Sequence, residues 1–229
     1  MTKIVCISDT HCKLNQVKLP DGDILVHAGD ALSRGTLSEF MEFVNQLEKI
    51  KVKYKHIIYV QGNHDRITEQ NESLVKDECA SRDIIYLNDT GITLEGISFY
   101  GSAVTPRFHD WAWNRDSEQG GTSVGPSNPK YDPIQKHWDL LPEKVDILIT
   151  HGPPYGVLDK SVYDGALCGC QHLMKKVLEV EPKFHIFGHI HNWHGKEKRG
   201  NTTFVNASSC TEEYKAINKP IVLEIKDEQ

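Results

Sequence analysis

Five near-continuous apolar runs constrain this chain more than any other feature: KIVCISD (3–9), DILVHAGD (23–30), HIIYVQGN (56–63), VDILITHG (145–152) and FHIFGH (184–189). A run that is apolar throughout, rather than at alternate positions, belongs to a strand buried on both faces. Such strands need helices or a second sheet on either side. TLSEFMEFVNQLEKIK (36–51) supplies a helix, with Leu37, Phe40, Met41, Val44 and Leu47 at helical spacing and Thr36 or Ser38 to cap it. CQHLMKKVLEV (170–180) supplies a second, stopped by Pro182. Strand, helix, strand in this rhythm predicts a parallel or mixed sheet covered by helices. GITLEGISFYGSA (91–103) alternates around Glu95-Gly96 as a two-residue hairpin does, and TTFVNASS (202–209) and PIVLEIK (220–226) are further strand candidates. The sum is an α/β domain with two sheet systems.

Length and charge then remove whole classes of function. A chain of 229 residues favours one domain, spanning 1–229, over two small ones. No apolar run approaches the roughly 20 residues a membrane span needs. The opening MTKIVCISDT runs straight into a strand, unlike a signal peptide. A net charge of −6 with no long Lys/Arg block argues against binding duplex nucleic acid. Six scattered cysteines without a CxxC pair fit reduced thiols in a cytoplasmic protein. The one compositional break, RDSEQGGTSVGPSNPKYDP (115–133), is either a surface loop or a lid over a site.

Metal-ligand residue types collect at the ends of the five runs. Asp9 and His11 follow the first, Asp30 closes the second, and Asn63, His64 and Asp65 follow the third; His151 ends the fourth, and His189 and His191 the fifth. Ligands bind at the carboxyl ends of the strands in an open α/β sheet. Five strands would therefore deliver these groups to one edge. Imidazoles with carboxylates and an amide oxygen suit Mn, Fe or Zn, whereas an all-oxygen set would suit Ca or Mg. Seven candidate ligands exceed what one tetrahedral ion needs but fit two ions sharing a carboxylate. Two ions roughly 3.5–4 Å apart hold a hydroxide nucleophile and neutralise phosphate oxygens in phosphoester hydrolysis.

Asp9-Thr10-His11, Gly29-Asp30, Gly62-Asn63-His64-Asp65, His151-Gly152-Pro153 and Gly188-His189-Ile190-His191 resemble the ordered signature of the calcineurin-like metallophosphoesterases. THGPPYG (150–156), KFHIFGHIH (183–191) and FVNASSCT (204–211) are most similar to the metallophosphoesterase-domain-containing (MPPED-type) branch. The resemblance implies a four-layer αββα sandwich of two mixed sheets flanked by helices, with a dimetal site at their mouth. It implies that Asp9, His11 and His191 hold one divalent ion and Asn63, His151 and His189 a second, with Asp30 bridging them and Mn favoured over Fe or Zn. His64 would stay off the metals and protonate the leaving alkoxide, with Asp65 orienting its ring. Some animal members of the branch lack a histidine at the place of His189; this chain keeps it, so an active enzyme is expected.

GDALSRG (29–35) is similar to the GDxxDRG run of the protein phosphatases in this superfamily, with Ser33 at the place of their second Asp. Arg34 is therefore a candidate to grip a phosphate oxygen, or else an exposed arginine. His27 reads as a core histidine and His194 as a surface one. The aromatic stretch Phe108 to Trp113 is either a wall on which a base stacks or packing beneath the loop. The favoured activity is hydrolysis of a small phosphodiester, nucleotide-type or a cyclic nucleotide. The alternatives are a phosphomonoesterase or protein phosphatase on the same metals, and a metal-binding scaffold without turnover. An intact His64 speaks against the scaffold.

Overall fold

The computed structural model describes residues 1–117, 128 and 130–225. Its strands are β1 (Thr2–Ile7), β2 (Ile24–Ala28), β3 (His56–Val60), β4 (Ile85–Tyr86), β5 (Thr90–Leu94), β6 (Ile97–Ser102), β7 (Thr105–Pro106), β8 (Asn114–Arg115), β9 (Ile147–Thr150), β10 (Phe184–Phe187), β11 (Gly195–Arg199), β12 (Thr202–Asn206) and β13 (Ile221–Ile225). The α-helices are α1 (Leu37–Ile50), α2 (Arg66–Gln70), α3 (Glu72–Ser81), α4 (Gln135–Trp138) and α5 (Gln171–Val180).

The strands form two large sheets, β13-β1-β2-β3-β4 and β11-β12-β10-β9-β6-β5, with β7 and β8 as a small separate pair. In the first, β1 to β4 run parallel and β13 lies antiparallel on β1. In the second, β12, β10, β9 and β6 run parallel between two antiparallel edges, β11 and β5. Both sheets are therefore mixed. Ile4, Cys6, Val26 and Ile58 on the inner face of the first meet Phe99, Ile147, Ile149, Ile186 and Val205 of the second. Residues between these point outward, as the period of a strand requires. Val5, Ile7, Leu25 and Ile57 pack under Phe40, Phe43, Val44 and Leu47 of α1 and Val75 and Cys79 of α3. Tyr100, Leu148, Phe187 and Phe204 pack under Trp138 of α4 and Leu173 and Val177 of α5. Each large apolar side chain buried this way contributes about 1.5–3 kcal/mol. The result is the four-layer αββα sandwich.

Local chemistry sets the element ends. Thr36 caps α1 through a capping box: its hydroxyl accepts from Glu39 N–H at 3.2 Å, and Glu39 accepts from Thr36 N–H at 3.3 Å. Glu95 and Gly96 both have positive φ (50° and 76°), the conformation a two-residue hairpin turn needs between β5 and β6. The strands stop short of the apolar runs because the residues that follow turn left-handed: Asp9 (49°), Asp30 (53°) and His189 (70°). Several elements exceed the sequence expectation, α3 and β11 among them. The helix α3 is only weakly amphipathic, burying Val75 and Cys79 alone. The strand β11, GKEKR, follows His194 and has no apolar pattern of its own, and its charged side chains blunt the edge of its sheet. Most of the segment read as a surface loop or a lid, residues 118–127 and 129, lies outside the described residues.

Candidate metal centre

The two sheets join beneath the centre. Ser8, just past β1, donates its N–H to Ala207 O (2.9 Å) and accepts from Ser209 N–H (2.8 Å), which aligns the exit of β1 with that of β12. The loops leaving β1, β2 and β3 therefore open beside those leaving β9 and β10. All seven ligand candidates meet there. Asp9, His11 and His191 form one group of facing ligand atoms, Asp30, His151 and His189 a second, and His64 lies beside His11 and Asp30 in a third. Asp30 spans the two halves: Oδ2 lies 3.9 Å from His11 Nε2 and Oδ1 3.3 Å from His151 Nε2. Asn63 Oδ1 is 2.9 Å from His151 Nε2.

Backbone carbonyls decide which nitrogen three of the rings present. His11 Nδ1 donates to Leu32 O (3.1 Å), His151 Nδ1 to Ala28 O (3.1 Å) and His191 Nδ1 to Thr211 O (3.0 Å). A neutral imidazole holding its proton on Nδ1 turns a lone pair inward at Nε2, as a metal ligand must. With neither a proton nor a metal ion between them, two such lone pairs would face one another across 3.2 Å between His11 and His191, and an imidazole lone pair would face the Asn63 amide oxygen. The donor set therefore fits two divalent ions.

The carboxylates are equally prepared. Asp9 is fully buried, and its Oδ2 accepts from Ser8 Oγ (2.5 Å), Ser208 Oγ (2.8 Å) and His189 N–H (3.0 Å). This leaves Oδ1 aimed at His191 Nε2, 3.3 Å away. Burial opposes ionisation of Asp9 and Asp30, but the histidines around them hold both carboxyls well below the usual range. Burial likewise opposes charge on His151 and His191; Asp30 beside the first and Asp9 beside the second raise each to about 9. His11 and His189, where burial dominates, fall to about 4 and about 3. The field of the site thus demands positive charge.

Close packing enforces this arrangement. Gly29, Gly62 and Gly188 leave no space for a Cβ, which would strike the ring of His151, Asp30 and Asp9 respectively. Asp9, His11, Asp30 and His189 all have positive φ, a sparsely populated conformation for non-glycine residues that clusters at functional sites.

Asp65 has a different partner from the one expected. His64 Nδ1 is held by Ser33 O at 2.8 Å, so a backbone carbonyl orients the ring. Asp65, fully buried, accepts from Leu32 N–H (2.9 Å), Gly62 N–H (2.8 Å) and Tyr59 Oη (2.9 Å). It clamps the loop carrying Asp30 to the loop carrying Asn63 and His64. Burial, and then the charge of Asp30, push its carboxyl up to about 7. Arg34 is exposed at the start of α1, where its backbone N–H donates to Glu39. His27 is a core residue, bonded to Thr10 Oγ1 at 2.9 Å and packed edge-on to Phe43. His194, expected at the surface, is half-buried, with Nε2 bonded to Lys219 O at 3.0 Å.

The aromatic stretch divides. Trp111 lies over the His64 ring at 4.3 Å with 31° between planes, and the Arg66 guanidinium lies over the Trp111 ring at 5.0 Å. Phe108 meets the His189 ring edge-on at 5.2 Å. Trp113 is core, its Nε1 donating to Thr68. One participant escaped the sequence altogether. Tyr214 packs edge-on against His11 (4.8 Å) and His191 (5.5 Å) from a turn with φ 57°. No spacing rule marks it, because a left-handed turn rather than a strand end brings it in.

This fold and ligand cluster define a metallophosphoesterase, and the family profile for "Calcineurin-like phosphoesterase" matches residues 2–193. The chain belongs to that family of metal-dependent phosphoester hydrolases. Human metallophosphoesterase domain-containing protein 1 is 35% identical over 98% of this chain and 71% of its own length. The Caenorhabditis elegans UPF0046 protein K07C11.7 is 34% identical over 97% of this chain and 75% of its own. In fold, the chain is similar to the crystal structure of TT1561 from Thermus thermophilus, with a TM-score of 0.61, 14% identity, and 90% and 88% of the two chains covered.

Proposed function

We propose that this chain is a phosphodiesterase for small nucleotide-type diesters, including cyclic nucleotides, working as one catalytic domain in a reducing compartment such as the cytoplasm. Asp9, His11 and His191 would hold one divalent ion and Asn63, His151 and His189 another, with Asp30 shared and Mn preferred. When bound, the two ions supply Lewis acidity to the phosphate oxygens and lower the pKa of the attacking water.

The observation that carries the reading is the placement of His64. It sits beside both His11 and Asp30, half-buried, with Nδ1 committed to Ser33 O, so Nε2 is the nitrogen left to serve an ester oxygen. A proton delivered from Nε2 to the departing alkoxide is general acid catalysis. Trp111 restrains the ring from one face, while the clamp at Asp65 fixes the loops on either side. A diester monoanion needs less positive charge than a monoester dianion, and Arg34 stands in solvent rather than against the ligands. All six cysteines are free, which suits a reducing compartment. Among the described residues, no helix is long and apolar enough to cross a membrane.

The test is a panel of mono- and diesters with Mn-loaded protein and its His64→Ala variant. Diesters should be preferred. The variant should keep its metals and lose roughly 10²–10⁴-fold in turnover for alkyl leaving groups, and less for p-nitrophenolate. A preference for monoesters contradicts the substrate class; equal losses for both leaving groups contradict the role of His64.

A further inference from the structure

Next to the centre lies a cleft of about 610 Å³ that belongs to one end of it only. His189 lines its inner wall, but none of His64, Trp111 and Tyr214 does. Its apolar surface comes from Pro106, Phe108, Pro153, Val162, Tyr163 and Leu167. Val162, Tyr163 and Leu167 are unusually exposed for their type, at 55%, 84% and 43%. They sit on a loop closed by a bridge between Lys160 and Leu167, with Tyr163 Oη donating to Glu212 at 3.3 Å. Hydrophobic side chains held at the mouth of a cleft are what a flat ligand packs against.

Charge narrows the ligand further. Asp164 and Glu212 line the cleft, and its guanidinium, Arg107, is already engaged with the buried Asp116 through Nε–Oδ1 (2.7 Å) and Nη2–Oδ2 (3.3 Å). Among the described residues, the cleft offers no Lys and no second Arg to balance an additional phosphate.

We infer that this cleft holds the substituent that stays on phosphorus, and that this substituent is flat and uncharged rather than a chain of further phosphates. The inference rests on the phosphodiesterase reading. Hydrolysis adds the oxygen of water to phosphorus and breaks one P–O bond, whose alkoxide leaves with the proton from His64. The second ester bond survives. Because the general acid stands at the His11 end, the departing group lies there, and the surviving substituent extends past His189 into the cleft. Phe108, edge-on to His189, forms the step between the centre and the cleft.

The experiment keeps the leaving group constant. Methyl, phenyl and thymidine 5′ esters of p-nitrophenyl phosphate all release p-nitrophenolate, as does a p-nitrophenyl ester of a nucleoside triphosphate. The phenyl and thymidine esters should exceed the methyl ester in kcat/KM by roughly 10- to 100-fold, the range a well-filled apolar pocket supplies. The triphosphate ester should be the poorest. In Phe108→Ala and Tyr163→Ala the phenyl-to-methyl ratio should collapse to within about threefold, since truncation removes the ring contacts. Calorimetric titration with phenyl phosphate against methyl phosphate reads the same preference as binding, without turnover. Equal kcat/KM for methyl and phenyl esters, a ratio that survives both truncations, or a preference for the triphosphate ester overturns the assignment of the cleft. Failure to hydrolyse any of the diesters overturns instead the phosphodiesterase reading beneath it.

Discussion

Gly188→Ala tests whether the ligands are held by packing as much as by their own chemistry. Gly188 needs no left-handed backbone, so alanine meets no torsional penalty there, and the added carbon alone is at issue. That carbon would lie inside the contact distance of Asp9 Oδ2 and Ser8 Oγ, and 2.8 Å from Ser8 Cβ. Neither neighbour is a flexible tip. Asp9 and Ser8 are both fully buried, and Oδ2 already accepts from Ser8, Ser208 and the backbone of His189. Restoring van der Waals separation requires a shift of about 1 Å, and a displacement of that size in a catalytic constellation costs roughly 10²-fold in rate. Overpacking of a well-filled site costs about 2 kcal/mol, which in a chain of this length lowers Tm by about 4–8 °C. The assay is threefold: kcat/KM on bis-p-nitrophenyl phosphate, metals per chain by elemental analysis, and thermal unfolding. The expected variant folds, loses activity about 100-fold and loses metal from the Asp9 set. A Gly188→Ala protein with wild-type Tm, two metals per chain and full activity would refute the packing argument.

Three further outcomes follow from the same geometry. Asp30→Ala removes the carboxylate that, among the described residues, faces both groups, so elemental analysis should find both ions gone, whereas His189→Ala should mainly weaken one; an Asp30→Ala chain retaining two ions contradicts the sharing. Trp111→Ala frees a face of His64 and should lower kcat for alkyl esters by about tenfold while sparing p-nitrophenyl esters, the signature of a misplaced acid; an equal effect on both would mean that Trp111 acts elsewhere. His185 is fully buried, with Nε2–H donating to Thr150 Oγ1 at 2.8 Å and Nδ1 without a partner, and burial lowers its pKa to about 3. Its contribution is therefore complete above the unfolded value near 6.5 and is lost as pH falls towards 3, by about 2 kcal/mol between pH 6.5 and 5. In chelator, the fall in urea-unfolding free energy between pH 6.5 and 5 should be smaller in His185→Leu than in the wild type by about 2 kcal/mol, and equal falls would contradict the assignment.

The centre was legible because its residues obey a simple rule. Each ligand candidate follows an apolar run within a few residues, and sheet geometry gathers the ends of parallel strands. The same rule was blind to Asp65, which lies next to His64 in sequence but whose carboxylate is directed into the protein, towards Leu32, Gly62 and Tyr59. Adjacency in sequence suggested contact between the side chains, and backbone direction decided otherwise. The carbonyls of Leu32, Ser33, Ala28 and Thr211 that set the imidazole tautomers leave no trace in residue identity, because every residue has one. The large strands and α1 were visible from apolar pattern and capping chemistry. The helix α3 was hidden by its weak amphipathicity, and β11 by a composition that suits both a loop and a solvent-facing edge strand.

The pairing of β1 with β13, Thr2 opposite Ile225 through Cys6 opposite Ile221, bears on how the protein is made. Strand β1 completes its sheet with a strand that lies more than 200 residues further along the chain, and His191 joins Asp9 and His11 only after some 180 intervening residues have been translated. Until β13 is made, the edge of β1 that it covers has no strand partner, and until His191 is made the Asp9 group lacks one of its members. Contacts this distant in sequence are slow to close and leave unpaired strand edges open to wrong partners. The full ligand set and the full sheet therefore both depend on contacts that close late along the chain.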